Sequence, residues 1–308
     1  ALNKNTIAIQ NTAVGTRAMC SNTTGIQNTS IGTYALCSNT TGGYNTAIGY
    51  ESLKANTTAR FNTAVGNQTL LSNTIGEFNT AVGYTALQVN TTGGHNTAIG
   101  RQALQCNTIG ACNTALGVDA LKVNTTGSQN TAIGTNTLRA NTTGTCNTAI
   151  GYESLFSNTC GSANTAIGSF ALCRNTTGFN NVAIGQTALC TNTFGQRNTA
   201  MGVQAMKLNT VGGCNVAIGF NSLTANTTGN NNTAIGYESL KANTTGIDNV
   251  AIGWSALIKS TTAQQNTAVG TMAGACITIG NDNVAIGSRA FCAGTTGGEN
   301  VAIGRSAL

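Results

Sequence analysis

Small, aliphatic and polar residues follow one another on a single fixed period. Every seventeen residues the chain repeats the pattern N-T-A-I-G-x-x-A-L-x-x-N-T-T-G-x-x, in eighteen copies opened by Asn11 through Asn300, without insertion or deletion. Counting places from that Asn, place four is always aliphatic or Met, as in Val14, Ile48, Leu116, Met201 and Ile303. Place nine is Leu in most copies, and places three and eight are small. Place two exchanges Thr for Val at Val182, Val216, Val250, Val284 and Val301, which marks a half-buried, β-branched site. The alternation over places two to four predicts a short strand, with Thr or Val and the aliphatic residue on one face.

A repeat of this size marks a solenoid, each copy forming one coil stacked on the next. The reading is all-β: a parallel β-solenoid (β-roll) of 17 residues per coil and about 18 coils, in one continuous domain over 1–308. Gly at places five and fifteen is expected to make the corners through positive φ, with Ala59 and Ala263 departing at the second. All 22 charged residues fall at places six, seven, ten, eleven, sixteen and seventeen, so those places face solvent. The constant places then face the core or a neighbouring coil, with about two large apolar side chains buried per coil. That is too little to offset the ordering of seventeen residues, so stability must come from stacking. Glu51 with Lys54, Asp119 with Lys122, and Glu238 with Lys241 are spaced to pair at the surface.

Composition narrows the function classes. Only 7% of residues are charged and none is proline, unlike a disordered chain. The net charge of +6 includes no run of Lys or Arg, so a nucleic-acid stripe is not expected. No apolar stretch reaches the length of a membrane span. Both ends fall in mid-repeat at the same two places, at Ala1-Leu2 and Ala307-Leu308, without a recognisable cap. The chain is therefore read as a segment of a longer protein or a subunit that stacks end to end.

N-T-A-I-G, with its variant N-V-A-I-G at Asn181–Gly185, Asn215–Gly219 and Asn249–Gly253, resembles the S-V-A-I-G head repeats of trimeric autotransporter adhesins. Similar repeats occur in phage and viral tail fibres. The likeness spans essentially the whole chain, although this coil is longer by an N-T-T-G turn. The resemblance implies a left-handed roll, a homotrimer, and a place outside the cell or on a cell or virion surface. Its implied partners are host-surface or matrix proteins or glycans.

Cysteine is the chief irregularity. Cys20 with Cys37, and Cys173 with Cys190, share one place on adjacent coils, and Cys276 with Cys292 are one place offset. Cys106 with Cys112, and Cys146 with Cys160, are spaced to close across a corner, and Cys214 is left over. Disulfides in an oxidising setting are the expectation, against free surface thiols. N-T-T recurs at Asn22, Asn39, Asn56, Asn90, Asn124, Asn141, Asn175, Asn226 and Asn243. It reads either as a glycosylation sequon or as an Asn ladder that satisfies turn backbone. Aromatics at place six (Tyr50, Tyr84, Tyr152, Phe220, Tyr237 and Trp254) form a candidate ridge for glycan or protein.

The Thr file at place thirteen raises ice binding, or a structural ladder instead. With one His and no catalytic constellation, neither enzyme activity, metal nor cofactor is expected. The expected function is an extracellular structural or adhesive fibre, for surface attachment or filament assembly through self-association. A ligand-binding solenoid using the aromatic ridge is the alternative, and an ice-binding solenoid the third.

Overall fold

The structure, a computed structural model, describes Leu2 and residues 4–307. Ala1 and Leu308, the chain ends read above, lie outside the described residues, as does Asn3. The fold is a β-solenoid with eighteen parallel three-residue strands and no helix among the described residues, hence none able to cross a membrane. It forms two compact units, Ala1–Glu153 and Ser154–Leu308. The first carries nine strands, from β1 (Thr12–Val14) to β9 (Thr148–Ile150). The second carries nine more, from β10 (Thr165–Ile167) to β18 (Val301–Ile303). Within each unit like residues pair, as in Thr46 with Thr63, Ala47 with Ala64 and Ile48 with Val65, or Val216 with Thr233 and Ile218 with Ile235.

The core is narrow. Ala at places three and eight and Leu or Met at place nine are buried, with Leu36, Leu104 and Leu189 fully enclosed. Place four points outwards: Ile48 and Ile218 are each 36% exposed and Val14 56%. The strand does set Thr or Val and the aliphatic residue on one face, but that face is the outer one. Each coil thus buries one large aliphatic side chain rather than two, because a three-residue strand opposite Leu leaves room inside only for Ala.

Two rows of asparagine fill the rest of the interior. At place one, the Asn45 backbone N–H donates to Asn28 Oδ1 on the preceding coil at 3.0 Å. At place twelve, Asn39 Nδ2 donates to Asn22 Oδ1 at 2.8 Å. Within one coil both amides converge on the place-fifteen carbonyl: Asn79 and Asn90 each donate to the Gly93 oxygen at 2.9 Å. A buried amide left unpaired costs about 1–3 kcal/mol, so each coil needs its neighbour.

The corners differ from the expectation. Place-five glycines do hold positive φ, from 123° at Gly15 to 138° at Gly100. Place-fifteen glycines do not, which is why Ala59 and Ala263 fit there. Glycine is favoured at that corner by crowding: a Cβ on Gly76 would stand 2.6 Å from Asn73 Oδ1 and closer to the Gly93 carbonyl. Left-handed backbone falls instead on side-chain-bearing residues at places seven, nine and seventeen, for example φ 54° at Glu51, 49° at Leu36 and 58° at Phe78. Such residues cost about 1–2 kcal/mol each. Coil-to-coil bonds offset that cost, as when the Leu36 N–H donates to the Ser52 carbonyl at 2.9 Å.

The place-twelve row stops after Asn243. Ser260 follows it, and Asn243 Oδ1 and Ser260 Oγ are both buried without a partner. The next two coils exchange volume between places nine and twelve. Ile277 packs toward the space that Gly274 leaves, and Phe291 fills the space above Gly294.

Three substitutions test this account by urea unfolding. Gly236→Ala, at φ 133° with its Cβ 2.7 Å from the Gly253 carbonyl carbon, is expected to cost about 2–6 kcal/mol. Ala59→Gly is expected to cost less than about 1 kcal/mol; equal losses would remove the distinction between the corners. Ser260→Asn should extend the amide row and stabilise the second unit by about 1 kcal/mol, and a loss would show that the row is not limited by its missing donor.

Candidate functional site

The outward strand face recurs on every coil of each unit. Place-two side chains are half-buried along most of it, and no place-four side chain is buried. No charged residue occurs at places one to five in any copy. The result is an aliphatic file flanked by Thr and Val, repeating at the coil spacing. Contiguous apolar exposure of this kind marks interaction surfaces.

The place-six aromatics are brought together only in part. Phe220 stacks on Tyr237 with centroids 5.4 Å apart, and Tyr237 on Trp254 at 6.2 Å. Tyr50 and Tyr84 sit two coils apart with Asn67 between them in the same file. Tyr152 is exposed, and the Glu153 carboxylate beside it holds its phenol above the ordinary value. A second aromatic row, missed in the sequence reading, runs along place seventeen of the first unit. Tyr44, Phe61, Phe78 and His95 stack in succession with centroids 4.9 Å apart. Arg60 lies 5.2 Å from the ring centres of both Tyr44 and Phe61. The available signal was four aromatic residues spaced by one repeat. In both rows the inner rings, Phe61, Phe78 and Tyr237, have a ring stacked on each face.

All eleven cysteines are free thiols, so the expected disulfides are not formed. Cys20 and Cys37 do meet, with sulfurs 2.8 Å apart, and Cys173 and Cys190 at 3.2 Å, both beyond the roughly 2.05 Å of a bond. Cys292 Sγ donates to the Met272 carbonyl at 3.4 Å, and burial pushes its thiol up, with Cys276 adding to the effect. Cys106 is half-buried and Cys112 exposed; Cys146, in the first unit, and Cys160, in the second, are exposed, as is Cys214. No cluster of three or more His, Cys, Asp or Glu able to hold a metal occurs among the described residues.

The nine sequon asparagines, Asn22 through Asn243, are all buried at 0% exposure. Asn90 Nδ2, for example, is committed to Asn73 Oδ1 at 2.8 Å and to the Gly93 carbonyl. The Thr file at place thirteen is spent similarly: Thr108 Oγ1 donates to the Thr125 carbonyl at 3.0 Å. Among the charges, Lys54 and Lys241 pair with Glu51 and Glu238 at 2.7 Å. Asp119 gathers Arg101, Lys122 and Arg139 at 3.5–3.7 Å.

No protein-family model matches the chain, and no curated relative matches it in sequence.

A sugar on any ladder asparagine would break two buried hydrogen bonds and collide with the next coil. Chain secreted from a glycosylating host is therefore expected to show the unmodified polypeptide mass across these nine sites. A glycopeptide containing any of them from folded protein would overturn the ladder assignment.

Proposed function

We propose that the protein is an extracellular structural or adhesive fibre component that works by self-association, three copies meeting through their outward strand faces. The observation that carries this reading is the uncharged aliphatic file at place four. Burying it strips water from apolar groups and leaves no charge unpaired, which is favourable at roughly 25 cal/mol per Å². A second copy is the fitting occupant because its file has the same repeat: side chains on two such faces stay in register over their whole length. A partner with another period would fall out of step after a few coils. The trimer and the surface location rest on the likeness to adhesin heads and tail fibres. The stacked aromatic rows support a glycan-reading alternative less well, since sugar rings bind to open aromatic faces.

Light scattering tests the proposal. The 31.1 kDa chain is expected at three times that mass. Replacing Ile218, Ile235 and Ile252 together by Asp should return it to the chain mass while the β circular-dichroism signal persists. A wild-type monomer would overturn the reading, and so would a trimer indifferent to the triple substitution.

A further inference from the structure

Place ten carries the triplet Cys-Cys-Lys on three consecutive coils twice, once in each unit: Cys20, Cys37 and Lys54, then Cys173, Cys190 and Lys207. Both cysteine pairs bring their sulfurs within 3.2 Å, and all four thiols are half-buried rather than sealed. Adjacent in-register coils hold the two backbones within the span that a disulfide bridges. Their electrostatic surroundings differ. In the first unit Lys54 is tied to Glu51 at 2.7 Å, three residues before it, and Glu51 also takes a bond from Gln68. In the second unit the residue three before Lys207 is Gln204, and no Asp or Glu occurs from Ser154 to Tyr237. Among the described residues neither Lys207 nor Arg174 is in an ion pair with a carboxylate, and both act on Cys190.

We propose that Cys173 and Cys190 form a thiol–disulfide exchange site for small aliphatic disulfides, with Cys190 the attacking sulfur and Cys173 the resolving one, and that Cys20 and Cys37 are its unreactive twin. The groups that face Cys190 are Cys173, Arg174 and Lys207. Its hydrogen bond with Cys173 holds its thiol down to about 7, with both cations adding to the effect against burial. In the twin, burial first and then the neighbouring Cys20 thiol push Cys37 up to about 11, despite Lys54 and Arg17.

The chemistry balances. The Cys190 thiolate attacks a disulfide RS–SR, forming Cys190–S–SR and releasing RS⁻. Cys173 then loses its proton to solvent or to the released thiolate and attacks the Cys190 sulfur. The second RS⁻ leaves as the Cys173–Cys190 bond forms. Two electrons pass from the protein thiols to the small disulfide, which ends as two thiols. This stands apart from the assembly reading, because place ten lies outside the outward strand face.

The test is peptide-mapped alkylation of the full chain by limiting iodoacetamide across pH 5.5–9. The Cys190 rate should rise with pH to a midpoint near 7, the thiolate being the reacting form. At pH 7 it should exceed that of Cys37 by about 10–100-fold, the thiolate excess being partly offset by the lower nucleophilicity of the weaker base. Gln204→Glu recreates the twin's surroundings without touching either sulfur, and should move the midpoint upward. With bis(2-hydroxyethyl) disulfide, wild type should lose two hydrogens at Cys173–Cys190 without retaining adduct, whereas Cys173→Ser should trap the mixed disulfide on Cys190. Equal alkylation of Cys190 and Cys37, a Cys190 midpoint unmoved by Gln204→Glu, or a stable adduct on wild-type Cys190 would each overturn the assignment. A change of native mass in any of these variants bears on assembly alone.

Discussion

Everything in this chain hangs on the buried amide rows. In each regular coil two asparagines reach one carbonyl, as Asn79 and Asn90 reach that of Gly93, and offer their oxygens to the following coil. An amide has two donor hydrogens and an acceptor oxygen, so a file of them is satisfied only when each has a neighbour on both sides. That requirement sets the exact seventeen-residue step, since one inserted residue would displace both rows at once. It also lets the backbone tolerate left-handed residues at three places per coil: the ladder that satisfies the amides holds those residues where an isolated coil would release them. The fold is cooperative between neighbours and weak within any one of them, as expected of a solenoid.

With amides and small residues taking up the interior, large aliphatic side chains are displaced outward. A globular domain would spend its isoleucines on the core; here Leu or Met at place nine occupies that space and Ile or Val at place four is left at the surface. The outer strand face is consequently apolar by construction, repeated without interruption by charge, and matched in period to any other copy of itself. Charged residues keep to places six, seven, ten, eleven, sixteen and seventeen, away from the asparagine rows and from that face.

Much of this was legible in the sequence. The period, the parallel register, the buried Leu and the small Ala files follow from position alone. What misled was equating constancy with burial. Alternation over Thr46, Ala47 and Ile48 says which side chains share a face, but not which face is inside, and the charge pattern marks solvent only where charges occur. Place four is constant because it is uniform, place twelve because it is bonded; one is exposed and the other sealed. The two glycine corners were indistinguishable as letters, although Ala59 and Ala263 were a clue: a place that admits Ala does not demand positive φ. The stack from Tyr44 to His95 escaped notice because only place six was searched for aromatics, although these four residues share place seventeen at the repeat spacing.

Repetition also makes the chain its own control. Cys20 with Cys37 and Cys173 with Cys190 share a place on the coil and a following lysine, so the two pairs can be compared side chain by side chain. They differ in the residue three before that lysine, Glu51 in one unit and Gln204 in the other, and in the second cation, Arg17 at place seven against Arg174 at place eleven. A carboxylate three before the lysine holds the ammonium 2.7 Å away in an ion pair; Gln204 carries no charge to pair with Lys207. Opposite charge nearby favours the thiolate and burial opposes it. With burial acting in both pairs, the surrounding charge and the thiol hydrogen bond decide the outcome. In a scaffold this uniform, chemistry can be altered by one substitution on a corner while the amide rows, and hence the fold, are left untouched.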